Sequence, residues 1–470
     1  MTRTFPERVD VAIVGSGPCG AAVARVLSER RPDLRVATFE AGPLLADPPG
    51  EHVKNLPDTA RERAQRWSEG GGRAGRPGTH LVPGAEAMPG AAMSTNVGGM
   101  GAHWTAACPR PGGGERIPFL PDLDGDLDEA ERLLGVAEFP DAPYAAQIRE
   151  RLGAAFDTGR SEDRRVRAMP LAARRGTDGR LRWSGADVVF GEPTRRNPRH
   201  ALFPDAPVTR VLVDGDRVRG LLVRDLRDGG EHRIRARRVV VAADALRTPR
   251  LLWASGVRPE ALGRHLNDQP QVIFAVRLRD VRAEEGTPGR SGVSWVPFTD
   301  EQPFHGQVMQ LDASPVPLDD TPAPGSVVGL GWFCAKEIRA DDRVTFGEER
   351  DELGMPAMRI HYGLTDRDRA TIEAAGKAVR AAAEALGEPL DDDPIVLEPG
   401  SSLHYQGTVR MGRADDGTSV CDEHGEVWGV GGLHIAGNGV IPTATACNPT
   451  LTSVALAART ARHLADDLHP

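Results

Sequence analysis

Two hydrophobic periods alternate along this chain. Val9 to Val14 is an unbroken apolar run, the pattern of a strand buried on both faces of a parallel sheet. Ala21, Ala24 and Leu27 then recur at helical spacing until Arg31-Pro32-Asp33 breaks the pattern, and a second apolar strand, Leu34 to Phe39, ends at Glu40. Pro207 to Asp225 predicts a hairpin, with two β-branched runs around Asp214-Gly215-Asp216. Arg238 to Ala243 predicts a third buried strand, leading into a helix that stops at Gly256. Residues 271–335 alternate apolar runs with Pro and Gly breaks, as an antiparallel sheet does. Residues 366–387 carry the clearest amphipathic helix, stopped by Gly387. A strand is expected at Val430 to Val440 and a long helix from Pro449 to Leu468, where a first-turn proline costs nothing.

Shorter helices are expected at 59–67, at 145–156, and within 122–134, where Asp126 or Asp128 would cap the start. The acidic cluster there is no calcium loop, because Leu127 stands where the sharp turn needs Gly. Residues 41–50 read as an exposed loop, and Ser68 to Gly90 as irregular chain rich in Gly and Pro. Pieces of a nucleotide-binding unit thus fall at 1–135, 201–270 and 401–470. A substrate-binding unit of sheet and helix, 136–200 and 271–400, interrupts them. The fold class is α/β: a Rossmann-like domain built from discontinuous segments, with an α+β domain carrying an antiparallel sheet.

Gly15, Gly17 and Gly20 follow the first strand in G-x-G-x-x-G spacing and open the first helix. The first permits a tight turn, the second a close approach of backbone to a pyrophosphate, and the third close packing of helix on strand. The helix N-terminus offers free N–H groups to phosphates, and Glu40, at the end of the second strand, suits a ribose diol. Strand, glycines, helix, strand and acid in that order point to a bound dinucleotide.

Composition narrows the partners. The 470 residues are 40% hydrophobic and 27% charged, with a net charge of −9 and both signs mixed, which argues against a nucleic-acid or membrane-docking surface. No apolar run reaches the length of a membrane span. The five cysteines, with no C-x-x-C pair, fit reduced thiols in a cytoplasmic protein. Cys421-Asp-Glu-His424 lacks a second cluster at zinc spacing and reads as a turn, so no metal is expected. His434 reads as packing, and Arg247 and Arg250 as surface or salt-bridge residues.

Four further stretches carry a resemblance. Val239 to Pro270 contains an apolar strand, a helix and a loop with Leu262, Gly263, Leu266, Asp268 and Pro270 in L-G-x-x-L-x-D-x-P spacing. Gly432 to Leu456 reads GLHIAGNGVIPTATACNPTLTSVAL, and Val97 to Thr105 reads VGGMGAHWT. Together with SSLHYQGTVRMG (Ser401 to Gly412), these resemble the glucose–methanol–choline flavin oxidoreductases, and within them the pyranose and glycoside oxidases. Asp244 departs from the family pattern, standing where Gly is usual.

The resemblance implies FAD as cofactor. Its contacts would come from Gly15, Gly17, Gly20, Glu40, Val97, Gly98, Gly99, His103, Trp104, Thr105, Val208, Ala243, Asn438, Pro449 and Thr450. His103 matches the histidine that can be joined covalently to the flavin, although Gly101 and Ala102 replace the usual Ser-Thr before it. Thr105 matches a hydroxyl near flavin N5, and the helix from Pro449 would point its positive end at the pyrimidine ring. His404 and Asn448 match the family's catalytic pair. A neutral imidazole near its reference pKa of about 6.5 suits removal of an O–H proton. A second polar side chain would hold the oxygen so that the C–H bond faces N5.

The implied reaction oxidises a secondary hydroxyl, C2 or C3 of a pyranose sugar or glycoside, with hydride passing to flavin N5. Reoxidation would be by dioxygen, giving hydrogen peroxide, or by a quinone-type acceptor. The span from Glu40 to Ser94 is short beside fungal pyranose oxidases, which implies an open entrance and bulkier substrates such as aryl glycosides. Two rivals stand beside this reading: a family member acting on a sterol or choline-like alcohol, and a redox-silent FAD-binding protein in which His404 is structural.

Overall fold

The computed structural model describes residues 3–57, 78–141, 144–177, 179–280, 292–311 and 325–468. The helix expected at 59–67 lies outside the described residues.

The first sheet is organised around strand Arg8–Val14, which pairs in parallel with Glu231–Val241 on one side and Val36–Phe39 on the other. His200–Phe203 extends it in parallel beyond Val36–Phe39. Leu433–Ile435 pairs in parallel with the far end of Glu231–Val241, and the near end of that strand carries the hairpin Val208–Asp214 and Arg217–Arg224. Central parallel strands need side chains apolar on both faces, and Val11, Ala12, Ile13, Val239, Val240 and Val241 are fully buried. Helices Pro18–Arg30 and Thr450–Asp467 pack on one another beside this sheet. Helix Ala186–Arg196, within the segment expected in the second domain, packs on Pro18–Arg30 as well.

The second sheet is antiparallel, with Gln271–Leu278, Val327–Cys334, Phe304–Gln310 and Val293–Val296 adjacent in that order. One face is sealed by helices Asp366–Leu386 and Ala145–Phe156. Phe304 and Val308 point into that core, so strand alternation sends His305 and Gln307 to the opposite face.

Three local expectations change. The helix near residue 126 starts earlier, spanning Leu123–Leu134, with Asp122 at its cap position. Asp126 is 1% exposed and paired with Arg459 and Arg462 of the C-terminal helix, so its carboxylate serves a tertiary ion pair rather than a cap. The strand expected over 430–440 shrinks to Leu433–Ile435, because Gly437 turns at φ +126° into a short 3₁₀ turn, Asn438–Val440. Within the stretch expected to be irregular, Gly78–Leu81 pairs with Ala92–Thr95. No helix among the described residues is long and apolar enough to cross a membrane.

Candidate active site

A cavity of about 390 Å³ opens at the carboxyl ends of the parallel strands. Its wall takes Gly15 after the first strand, Glu40 after the second, Ala243 after the third and Gly437 after the last. Open parallel sheets bind ligands at this edge, because strand ends and helix starts leave backbone polar groups unpaired there.

Two of the three glycines, Gly15 and Gly20, are demanded by space. Gly15 sits at φ +98°, and a Cβ on it would lie 2.3 Å from the carbonyl oxygen of Ala242. A Cβ on Gly20 would lie 2.1 Å from the carbonyl oxygen of Gly15. Gly17 heads helix Pro18–Arg30 with no side-chain capping bond, so the N-terminal N–H groups stay available to an anion. Glu40 accepts from Ser16 N (3.0 Å), Ser16 Oγ (2.7 Å) and Gly42 N (3.0 Å). Three bonds leave one of the roughly four acceptor sites of a carboxylate free for a ribose hydroxyl.

Asp244, at φ +65°, solves the turn where Gly would be usual. Its Oδ1 accepts from Leu246 N (2.7 Å) and Arg247 N (2.8 Å), and its Oδ2 from Arg247 Nε (2.5 Å). Asp tolerates the left-handed region through such local bonds. Arg247 also donates to Thr95 Oγ1, and Arg250 pairs with Asp351, so both are salt-bridge residues, though both line the cavity.

At the other end His404 and Asn448 meet. Asn448 Nδ2 lies 3.2 Å from His404 Nε2, across 44 positions of sequence. His404 Nδ1 is 2.7 Å from Gln269 Oε1. Gln269 spends its Nε2 on Cys447 O (2.8 Å) and Thr445 Oγ1 (3.2 Å), so its oxygen faces the ring and Nδ1 carries the proton. That leaves the Nε2 lone pair on the cavity side. Burial pushes the His404 pKa down to about 4, so the ring is neutral.

Models of GMC oxidoreductase match this chain over residues 128–271 and 339–457. A C-glycoside 3-oxidase from Arthrobacter globiformis is 57% identical over 99% of this chain and 96% of that protein. The chain belongs to the GMC oxidoreductase family. A pyranose 2-oxidase from Tricholoma matsutake is 32% identical, covering 79% of this chain and 72% of its own. In fold, the crystal structure of pyridoxine 4-oxidase from Mesorbium loti superposes with a TM-score of 0.69 at 21% identity, covering 97% of this chain and 99% of the other. As a GMC oxidoreductase the protein is an FAD-dependent enzyme acting on CH–OH groups.

The cavity of this oxidoreductase fits an extended dinucleotide, running from Gly15, Gly17 and Glu40 past Val208 and Ala243 to Gly99, His103, Trp104 and Thr105. Asn438, Thr450, His404 and Asn448 line the same cavity. Gly20, Val97, Gly98 and Pro449 do not line it. Gly20 packs against the Gly15 turn, and Pro449 caps helix Thr450–Asp467. Gly98, at φ +95°, donates its N–H to Ser16 Oγ and so ties the 97–105 loop to the glycine turn. His103 Nε2 donates to Asn96 Oδ1 at 3.0 Å, and burial lowers its pKa to about 4.

Sequence reasoning passed over Gln269, Gln307 and His305. Gln269 lies inside the quoted 262–270 loop without standing out. Gln307 and His305 had a readable signal, two polar residues on one strand face opposite Phe304 and Val308, and the structure buries both. Trp295 Nε1 donates to His305 Nδ1 at 3.0 Å. Elsewhere, Asp422 Oδ1 accepts from His424 N and Glu426 N, making the 421–426 stretch a turn, and His434 is buried in the sheet at 1% exposure.

Proposed function

We propose that this GMC oxidoreductase oxidises the C3 secondary hydroxyl of a pyranose glycoside to a ketone, with His404 as the base. The observation that carries the reading is the neutral His404 Nε2 lone pair beside Asn448 Nδ2, on the wall of the cavity that begins at the Gly15 turn. A substrate hydroxyl placed between the two nitrogens donates its proton to His404 Nε2 while its oxygen accepts from Asn448 Nδ2. The pair thereby fixes the direction of the adjacent C–H bond as the O–H proton leaves. FAD held in this cavity would supply the two-electron acceptor for the hydride of that C–H bond, with dioxygen or a quinone-type compound as the final acceptor. Glu40 and the N-terminus of helix Pro18–Arg30 would hold its ADP end, and the start of helix Thr450–Asp467 would favour negative charge near its ring. The C3 position and the glycoside substrate are supported by the activity named for the relative at 57% identity.

The test is anaerobic mixing of the enzyme with a C-glycoside, an aryl O-glycoside and free glucose, followed by the flavin band. Glycosides are expected to bleach it fastest, with NMR of the product showing a 3-ketone. Faster reduction by free monosaccharides than by any glycoside overturns the reading. His404→Ala should lower the reduction rate by roughly 10²- to 10⁴-fold with FAD still bound. Acid precipitation tests attachment at His103. With Nε2 engaged by Asn96, only Nδ1 of that ring has a lone pair to bond the flavin 8α carbon.

A further inference from the structure

We propose that Gln269 is a positioning residue that sets the tautomer of His404 and holds the His404 and Asn448 loops in register. The proposal rests on reading His404 as the base. Gln269 is 1% exposed, so water cannot replace the bonds it makes. Its Oε1 takes the Nδ1 proton of His404, and its Nε2 donates to the carbonyl of Cys447, the residue just before Asn448. One amide therefore touches both catalytic loops. Thr445 closes the arrangement, accepting from Gln269 Nε2 and Gln406 Nε2 and donating to Gln406 Oε1.

A neutral imidazole carries its proton on either nitrogen, and only the Nδ1–H form leaves Nε2 able to accept a substrate proton. Gln269 selects that form because its oxygen is already the only end of the amide turned toward the ring. The residue before it serves the backbone of the same loop. Asp268, also 1% exposed, accepts from Gly400 N (3.1 Å), His404 N (3.2 Å) and Ser402 Oγ. Leu403, held at φ +61° inside that clamp, is a strained residue directly before the base. Adjacent side chains of one dipeptide thus hold His404 by its backbone and by its ring.

The experiment is ¹⁵N-histidine NMR of the FAD-loaded enzyme at pH 7, with stopped-flow reduction by a glycoside. Wild-type His404 is expected to show a protonated Nδ1 and a bare Nε2. In Gln269→Leu, signal for the Nε2–H form should grow, and the limiting reduction rate should fall by roughly 10²-fold. Substrate Kd should change less than about threefold, because the hydroxyl still meets Asn448. A wild-type His404 in the Nε2–H form overturns the proposal, whether or not the variant folds. So does a folded, FAD-bound Gln269→Leu with wild-type tautomer and rate. Failure of the base reading shows separately, as full flavin reduction in His404→Ala.

Discussion

Gln307 Nε2 donates to Asn448 Oδ1 at 2.6 Å, across 141 positions of sequence. This bond decides which end of the Asn448 amide faces His404. With its oxygen held by Gln307, Asn448 presents Nδ2 to His404 and to any hydroxyl placed there. Gln307 comes from the antiparallel sheet, whereas Asn448 leads into the C-terminal helix, so that sheet reaches the His404–Asn448 pair through Gln307 and through Phe333, whose ring lies 5.3 Å from that of His404.

Gln307→Leu should therefore let the Asn448 amide turn over and offer an acceptor to an acceptor. The loss of one neutral hydrogen bond, worth about 1 kcal/mol, predicts a fall in reduction rate of roughly fivefold. Stopped-flow reduction checks this, and a change confined to FAD content would contradict it.

Gly15→Ala should yield mostly apoprotein. The added Cβ would meet the Ala242 carbonyl oxygen at 2.3 Å, and the backbone at φ +98° disfavours any L side chain. Strain of about 1–3 kcal/mol falls on the turn that receives the pyrophosphate. The ratio of flavin to protein absorbance after purification reads the outcome.

At Asp244 the order of two variants is the test. Asp244→Ala keeps a side chain in the left-handed region and loses the bonds to Leu246 N and Arg247 N, which should cost about 0.5–2 kcal/mol. Asp244→Gly loses the same bonds but relaxes the backbone, so it should cost only a few tenths of a kcal/mol. Thermal melting should rank wild type and Gly close together with Ala below them.

Acid should destabilise the protein well above the pH at which exposed carboxylates protonate. Burial lowers His52, His103, His200, His265, His404 and His434 to about 4 and His305 to about 3. As pH falls from 6.5 toward 4, the unfolded chain takes up these protons first, so stability is lost across that window. Asp187 and Asp268, raised to about 6, and Glu51, Glu115 and Asp126, also raised by burial, act oppositely, since the folded state binds their protons first; with His424 lowered too, they are five against eight. Melting temperature against pH should decline steadily below about 6.5. In the same window the flavin-reduction rate should persist to about pH 4, because His404 stays neutral down to there. An acid limb centred near 6.5 would show a base that is not buried.

The strands, the glycine turn and the two long helices were legible because each follows from local rules: apolar runs, glycine spacing, and an amphipathic period stopped by Gly387. The family motif even brought His404 and Asn448 together on paper. The starting point of helix Leu123–Leu134 was not legible, since Asp126 is claimed by Arg459 and Arg462 more than three hundred positions away. Nor was the early end of the 430–440 strand, where Gly437 takes a positive φ that the flanking apolar pattern conceals.

By itself the sequence carried the glycine turn of Val9 to Glu40, the pattern of a dinucleotide site, and a resemblance that singles out His404 and Asn448. The turn needs only the type and spacing of residues, because backbone turns are local properties, whereas the His–Asn pair came from the resemblance. Only the tertiary structure decided which nitrogen of His404 faces Asn448 and which end of the Asn448 amide faces it. Tautomer and amide orientation depend on the hydrogen-bond partner behind each group. Those partners, Gln269 and Gln307, arrive from separate segments of the chain, so no local pattern could say which group each would hold.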